Sequence, residues 1–354
     1  MKTTQQLHDL GQSLWLDGIT REMLDDGTLR HYIDEFSVTG LTSNPTIFDK
    51  AIGNSDAYDV SIREKAQAGN SGESLFVELA LEDLRCAADL FRTVFDATGG
   101  VDGWVSMEVS PLLANDTSGS IEAAARIYQQ ASRPNLIVKI PGTPEGIPAI
   151  EESIFAGVPI NVTLLFSREQ YLAAAEAYLR GIERRVAAGL DPRVSSVASL
   201  FVSRWDNAVS DKVPVELRNR LGIMIGARTY RAYRELLASP RWHKLAASGA
   251  RPQRLLWAST GTKDPAASDT LYIEALAAPD TINTMPEKTL RAFAEHGELK
   301  GMMAEDGGDA EAVLARFALA GIDVDALATQ LQHDGAQSFV KSWEALMQRI
   351  ADKS

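Results

Sequence analysis

One lysine in this chain stands apart from the others. Lys139 lies inside the apolar run Leu136-Ile137-Val138-Lys139-Ile140, which Pro141-Gly142 closes. The remaining lysines occupy terminal, loop or otherwise polar contexts. In a strand, residues two apart share a face. Leu136, Val138 and Ile140 then face one way, and Ile137 and Lys139 the other. A buried cation without a partner is costly, and such a group tends to shed its proton. A neutral amine attacks a carbonyl carbon and forms a Schiff base. The competing reading is a lysine that reaches back to solvent or pairs with an interior carboxylate.

The same parity finds partners for that chemistry. Asp17 shares a face with Trp15, opposite Leu14 and Leu16. Ser106 and Glu108 lie opposite Val105, Met107 and Val109. Asn161 pairs with Thr163, Thr42 with Asn44, and Ser199 with Phe201. Each has an ordinary reading as well. Asn44 before Pro45 fits a helix N-cap, Asp17 before Gly18 a turn, and Phe201 the core. Together, however, polar or ionisable groups stand at the ends of many strands, opposite the apolar face. Core packing does not call for Lys, Asp and Glu there, whereas acid–base work around an amine does. Two cations follow later strands. Arg204 comes just after Ser199–Val202, where it could instead pair with Asp206. Lys263 follows Ser259-Thr260-Gly261-Thr262, a small-residue loop suited to a phosphate, or simply a loop.

Elements must bring these residues together. Short apolar stretches recur at Ser13–Asp17, Val38–Thr42, Trp104–Val109, Leu136–Ile140, Pro159–Leu164, Val197–Val202, Arg254–Ser259 and, most weakly, Thr281–Thr284. Amphipathic segments separate them. Tyr171 to Ala187 is Ala/Leu-rich, with Ser167 and Gln170 as a capping box. Thr143-Pro144 reads as an N-cap and first-turn proline, and Gly157 with Pro159 as the stop. Thr284 with Glu287 reads as another capping box. A C-terminal helix over about 336–351 places Phe339, Trp343, Leu346, Met347 and Ile350 on one face. Strand-then-helix units imply a parallel sheet covered by helices. The expectation is an α/β fold: a single (β/α)8 TIM barrel over 1–354 with additional helices in the long gaps after Thr42 and Val202. An open doubly wound sheet is the runner-up, without a GxGxxG or GxxxxGK[ST] run to support it.

Composition narrows the function. The chain has 354 residues and a net charge of −13, which disfavours nucleic acid and anionic membranes as partners. Cys86 is the only cysteine, and the start lacks a signal-like segment, so a cytoplasmic location is expected. No apolar run reaches a membrane-spanning length of about 18 residues. The histidines show no zinc-like spacing, so no metal is expected.

The runs Leu41-Thr42-Ser43-Asn44-Pro45-Thr46-Ile47-Phe48, Ser106-Met107-Glu108-Val109, Leu136 to Thr143, Ile160 to Ser167 and Ser199 to Arg204 together resemble the transaldolase family, in family order. The resemblance extends from about Leu7 to the C-terminal helix. It implies a Schiff-base aldolase barrel without metal or organic cofactor. Such an enzyme moves a dihydroxyacetone unit from sedoheptulose 7-phosphate to glyceraldehyde 3-phosphate in the pentose phosphate pathway, giving erythrose 4-phosphate and fructose 6-phosphate. By position it makes Lys139 the Schiff-base lysine. Glu108 and Thr163 would hold a proton-shuttling water, and Asp17 would be the acid/base for carbon–carbon cleavage. Asn44, Asn161 and Ser199 would bind the dihydroxyacetone hydroxyls, with Thr42 and Phe201 beside them. Arg204, Ser259 and a cation after the seventh strand would hold the phosphate. Many members carry that cation as Arg two residues after the Ser; here Thr260-Gly261-Thr262-Lys263 follows, so Lys263 takes the place. The implied partners are phosphorylated sugars, and the implied assembly is a monomer or homodimer. A fructose-6-phosphate aldolase is the nearest alternative. That subgroup tends to carry Gln for the carboxylate and Tyr for the phenylalanine, where this chain has Glu108 and Phe201. A phosphosugar-binding barrel without catalysis is the other.

Overall fold

A computed structural model describes residues 2–354. Eight strands form a closed barrel in chain order. They are β1 (Ser13–Asp17), β2 (Val38–Thr42), β3 (Val105–Glu108), β4 (Leu136–Pro141), β5 (Ile160–Leu165), β6 (Ser196–Phe201), β7 (Gln253–Ala258) and β8 (Ile282–Met285). Every neighbouring pair is parallel, and β8 closes on β1. This is the expected (β/α)8 barrel. Two of the eight expected strands match at both ends, and the other six differ by one residue. Parallel strands covered on both sides read as continuous apolar runs, which is why they show so clearly.

The register carries one interior face around the barrel. Asp17 lies opposite Thr42, Thr42 opposite Ser106, Glu108 opposite Lys139, and Lys139 opposite Asn161. Two irregularities adjust this face. Between the first residues of β1 and β2 the register slips, and Gly40 sits against the Trp15 indole. A Cβ on Gly40 would come within 2.7 Å of that ring and of the Trp104 carbonyl. The second lies in β5, between Val162 and Leu165, beside Thr163. Bulges of this kind gather next to active sites, where they re-aim a side chain.

The long gaps hold helices as expected, among them Pro45–Gly53, Asp59–Gln67 and Gly72–Ala97 after β2. Ser203–Val209, Leu221–Leu237 and Pro240–Ala247 follow β6. Ser167 and Gln170 form their capping box at the helix Arg168–Ala187. Gly157, at φ 90°, ends the helix Gly146–Ala156. Three local expectations are corrected. The Gly146–Ala156 helix begins after Thr143-Pro144, with Glu145 at its N-cap. The Thr143 hydroxyl accepts from the Gly146 N–H at 3.0 Å and donates to the Ala114 carbonyl, so it organises the preceding turn. Thr284 lies inside β8 and its hydroxyl meets Thr42 rather than capping, so Pro286 occupies the N-cap of Glu287–His296. The C-terminal helix is longer than 336–351. It runs Val324–Lys353, started by the Asp323 carboxylate, which accepts from the N–H groups of Asp325 and Ala326.

That helix lies against the barrel mouth. Phe339, Trp343, Leu346 and Ile350 are buried and Met347 partly so. Trp343 packs edge-on to Phe76, which packs edge-on to Phe48. Gln332 donates to the carbonyls of Gly142 and Leu164, at the ends of β4 and β5, both at 2.9 Å. Thr46 bonds Ser342, and Arg349 bonds Asp49. The helix is thereby fastened to two sides of the mouth. Among the described residues, no helix is long and apolar enough to cross a membrane.

Candidate active site

The C-terminal ends of the strands surround a cleft of about 360 Å³. Asp17, Thr42, Asn44, Lys139, Thr163, Ser199, Phe201, Arg204, Ser259 and Lys263 line it. Glu108 and Asn161 do not line it; they lie directly beneath, buried in the barrel. The twelve residues singled out from the sequence therefore form one site with its floor.

Lys139 points into the cleft from β4. Its Nζ is 3.1 Å from Glu108 Oε2 and donates to the Ser43 carbonyl at 3.2 Å. The interior carboxylate pairing that competed with the nucleophile reading is thus present. The two readings are compatible, because a carboxylate beside an amine is also a proton acceptor. Burial pushes the Glu108 carboxyl above its usual range, and the Asp17 charge adds to this, while Lys139 and Arg204 oppose it. Glu108 Oε1 and the buried Thr163 hydroxyl have no hydrogen-bond partner among the described residues. A buried polar atom left unpaired in this way can take a water or a substrate oxygen.

Asp17 is also raised, chiefly by burial, against the pull of Lys139 and the Thr42 hydrogen bond. Thr42 Oγ1 is 2.8 Å from Asp17 Oδ1 and 2.7 Å from Thr284 Oγ1. A hydroxyl has one proton to give. With Asp17 ionised, Thr42 donates to it and Thr284 donates to Thr42. The turn reading of Asp17 gives way to this interior placement at the strand end.

Ser199 donates to Asn161 Oδ1 at 2.7 Å, and Asn161 Nδ2 donates to Ser106 Oγ at 3.1 Å. The Asn161 amide keeps a second N–H free of those bonds. Asn44 fulfils its ordinary reading while facing the cleft: its side chain accepts from the Ile47 N–H at 3.0 Å and caps Pro45–Gly53.

Arg204 does not pair with Asp206. Asp206 is turned away, accepting from Tyr272 and from the N–H groups of Leu221 and Gly222. The Arg204 guanidinium instead stacks near Phe201 and Phe339, at 5.1 and 5.6 Å to the ring centroids. Its pKa is lowered by burial, with Glu108 and Asp17 countering. Phe201 is both core and cleft wall. Lys263 stands exposed at the cleft, on the loop after β7, the strand beside β6.

Leu164 and Ser259 hold φ values of 57° and 56°, at the mouth ends of β5 and β7. A left-handed conformation costs a non-glycine residue about 1–2 kcal/mol. Ser259 shares a hydrogen bond with the Ser203 hydroxyl at 2.9 Å, and the Leu164 carbonyl is held by Gln332. Strain of this kind concentrates where a site must be shaped.

Lys50, Thr284 and Phe339 also line the cleft and were not singled out as site residues. Lys50 follows from the N-cap reading of Asn44: Thr46, Ile47 and Lys50 share one face of the helix it starts. Thr284 stands on the interior face of β8, a strand whose apolar signal is weak. Phe339 reads as core because its face of the helix is apolar.

Known proteins resemble the chain over nearly its whole length. The model of the transaldolase/fructose-6-phosphate aldolase family matches residues 14–350. A transaldolase of Saccharopolyspora erythraea is 44% identical over 356 residues, covering 99% of this chain and 97% of that protein. A transaldolase of Thermobifida fusca is 44% identical over 358 residues, covering 99% and 97%. One of Thiobacillus denitrificans is 43% identical over 358 residues, covering 99% and 100%.

Proposed function

Since the chain belongs to the transaldolase/fructose-6-phosphate aldolase family, we propose that it is a transaldolase, with Lys139 as the amine that carries the three-carbon unit. The observation that carries this reading is the placement of Lys139 in the cleft, 3.1 Å from Glu108, with Asp17 lining the same space. Relatives named transaldolase, matching nearly the whole chain, support it.

In this reading Glu108 takes a proton from Lys139, and Nζ attacks the ketose carbonyl carbon. Glu108 and Thr163 hold the water through which the carbinolamine hydroxyl is protonated and leaves. The protonated imine then accepts the electron pair of the breaking bond. Asp17 takes the C4 hydroxyl proton, the C3–C4 bond breaks, and an enamine remains on Lys139. An acceptor aldehyde reverses these steps, and Asp17 returns the proton to the new hydroxyl. Donor and acceptor thus occupy the site in turn, which gives ping-pong kinetics.

Asn44, Asn161 and Ser199 hold the dihydroxyacetone hydroxyls, with Thr42 and Phe201 beside them. Arg204, Ser259 and Lys263 hold the phosphate of glyceraldehyde 3-phosphate or of the ketose donor. Glu108 and Phe201 favour transfer over simple aldol cleavage, following the residue pattern expected for the two subgroups. The whole site belongs to one barrel domain over 1–354. The single cysteine supports a cytoplasmic location.

Borohydride reduction in the presence of fructose 6-phosphate, followed by peptide mass mapping, tests the assignment. The adduct is expected on the peptide containing Lys139, and an adduct on any other peptide overturns it. Lys139→Ala is expected to abolish transfer with the far-UV and near-UV circular dichroism retained.

A further inference from the structure

The Arg204 side chain is half-buried in the cleft wall, yet it has no hydrogen bond or ion pair to any described residue. Its close contacts are the rings of Phe201 and Phe339. Phe201 belongs to the barrel, whereas Phe339 comes from the C-terminal helix. A guanidinium is attracted to ring faces within about 6 Å of the centroid. Stacking of this sort occupies its flat faces and leaves the in-plane N–H donors for an anion.

A second feature of the same helix meets the same group. Gly335 is buried in the helix interior, where glycine is an unfavourable choice. A Cβ there would lie 3.0 Å from Arg204 Nη1 and 2.9 Å from Leu164 Cδ2. Gln332, Gly335 and Phe339 fall on one helical face. Gln332 anchors that face to the ends of β4 and β5. The face therefore offers an anchor, a notch and a ring in succession.

We propose that the C-terminal helix positions Arg204 for the substrate phosphate, with Gly335 giving the guanidinium its space and Phe339 fixing its plane. Both are positioning residues: they act on the phosphate through Arg204. The proposal rests on the reading of Arg204 as a phosphate ligand, and the test separates the two.

The readout is the ratio of kcat/KM for glyceraldehyde 3-phosphate to kcat/KM for unphosphorylated glyceraldehyde. In a ping-pong reaction each value reports only the acceptor half. Phe339→Leu and Gly335→Ala are each expected to lower the ratio about tenfold, and Phe339→Tyr to keep it within about twofold. Arg204→Ala serves as the reference and is expected to lower it further. If Arg204→Ala lowers the ratio while Phe339→Leu and Gly335→Ala leave it unchanged, or depress both acceptors equally, the positioning role is overturned and the phosphate reading stands. If Arg204→Ala itself leaves the ratio unchanged, the phosphate reading fails. The inhibition constant of inorganic phosphate gives a second measure in any variant that folds. It is expected to rise in Phe339→Leu and Gly335→Ala, and an unchanged constant in both counts against the proposal.

Discussion

Asn44 lies just past β2 and caps the helix that follows. Its side chain accepts from the Ile47 N–H, while the residue also lines the cleft. The two roles separate by substitution. Asn44→Ala is expected to lose about 1 kcal/mol of stability with the cap, together with transfer activity. Asn44→Ser restores a capping oxygen and so the stability, but not the reach of an amide. Urea unfolding beside a transfer assay checks this, and full activity in Asn44→Ser would show that the residue only caps. Lys139, Glu108 and Asp17 were legible because strand parity is local: two neighbours decide which way a side chain points. That Asn161 and Glu108 form the floor rather than the wall was not legible, because depth depends on the strands alongside. Lys50 and Phe339 depend on the path of helices across the mouth, which no short window of sequence specifies.

At the scale of elements, the strands were legible to within a residue, while the helix ends were less so. A capping pattern such as Thr284 with Glu287 is satisfied by residue type alone, yet the hydroxyl of Thr284 is taken by a partner on β2. The first turns of the C-terminal helix carry Val324, Leu327, Ala328 and Leu331 at helical spacing, but the polar stretch Gln332 to Gly335 separates them from the apolar face that begins at Phe339. Asp206 illustrates what joins one element to the next. Placed on the helix Ser203–Val209, it accepts from the first N–H groups of Leu221–Leu237 and from Tyr272. Burial pushes its carboxyl up to about 6 from an ordinary 3.8. The folded state therefore binds this proton more tightly than the unfolded chain does. Its effect on stability is most favourable below the unfolded value and is lost as pH rises through about 6. Going from pH 7 to pH 5 should return roughly 1 kcal/mol from this group. Asp17, Glu108 and Asp83 are raised too and act in the same direction. The difference in slope between the wild type and Asp206→Asn isolates Asp206 in urea unfolding at the two pH values, and equal slopes would refute it.

Across the whole molecule, the charge of −13 and the cations of the cleft act at different ranges. The Debye length is ~10 Å at 0.1 M salt and ~30 Å at 0.01 M. At low salt the overall field repels a sugar phosphate, while Arg204 and Lys263, as the proposed phosphate ligands, attract it at contact. Added salt weakens both. The value of kcat/KM for glyceraldehyde 3-phosphate is therefore expected to change by less than about threefold between 0.02 and 0.2 M salt. A tenfold fall, measured in initial rates, would show that long-range attraction steers the substrate instead. The fastening of the C-terminal helix across the mouth also has a consequence for how the enzyme comes into being. The barrel can close once β8 has been made, at Met285, but Gln332, Gly335 and Phe339 arrive later. From Met285 to Lys353 the ribosome adds 68 residues, which takes roughly 3–14 s at ~5–20 residues per second. During that interval a nascent chain can carry the amine of Lys139 in a closed barrel with an open top, and translation that stops early leaves it in that state.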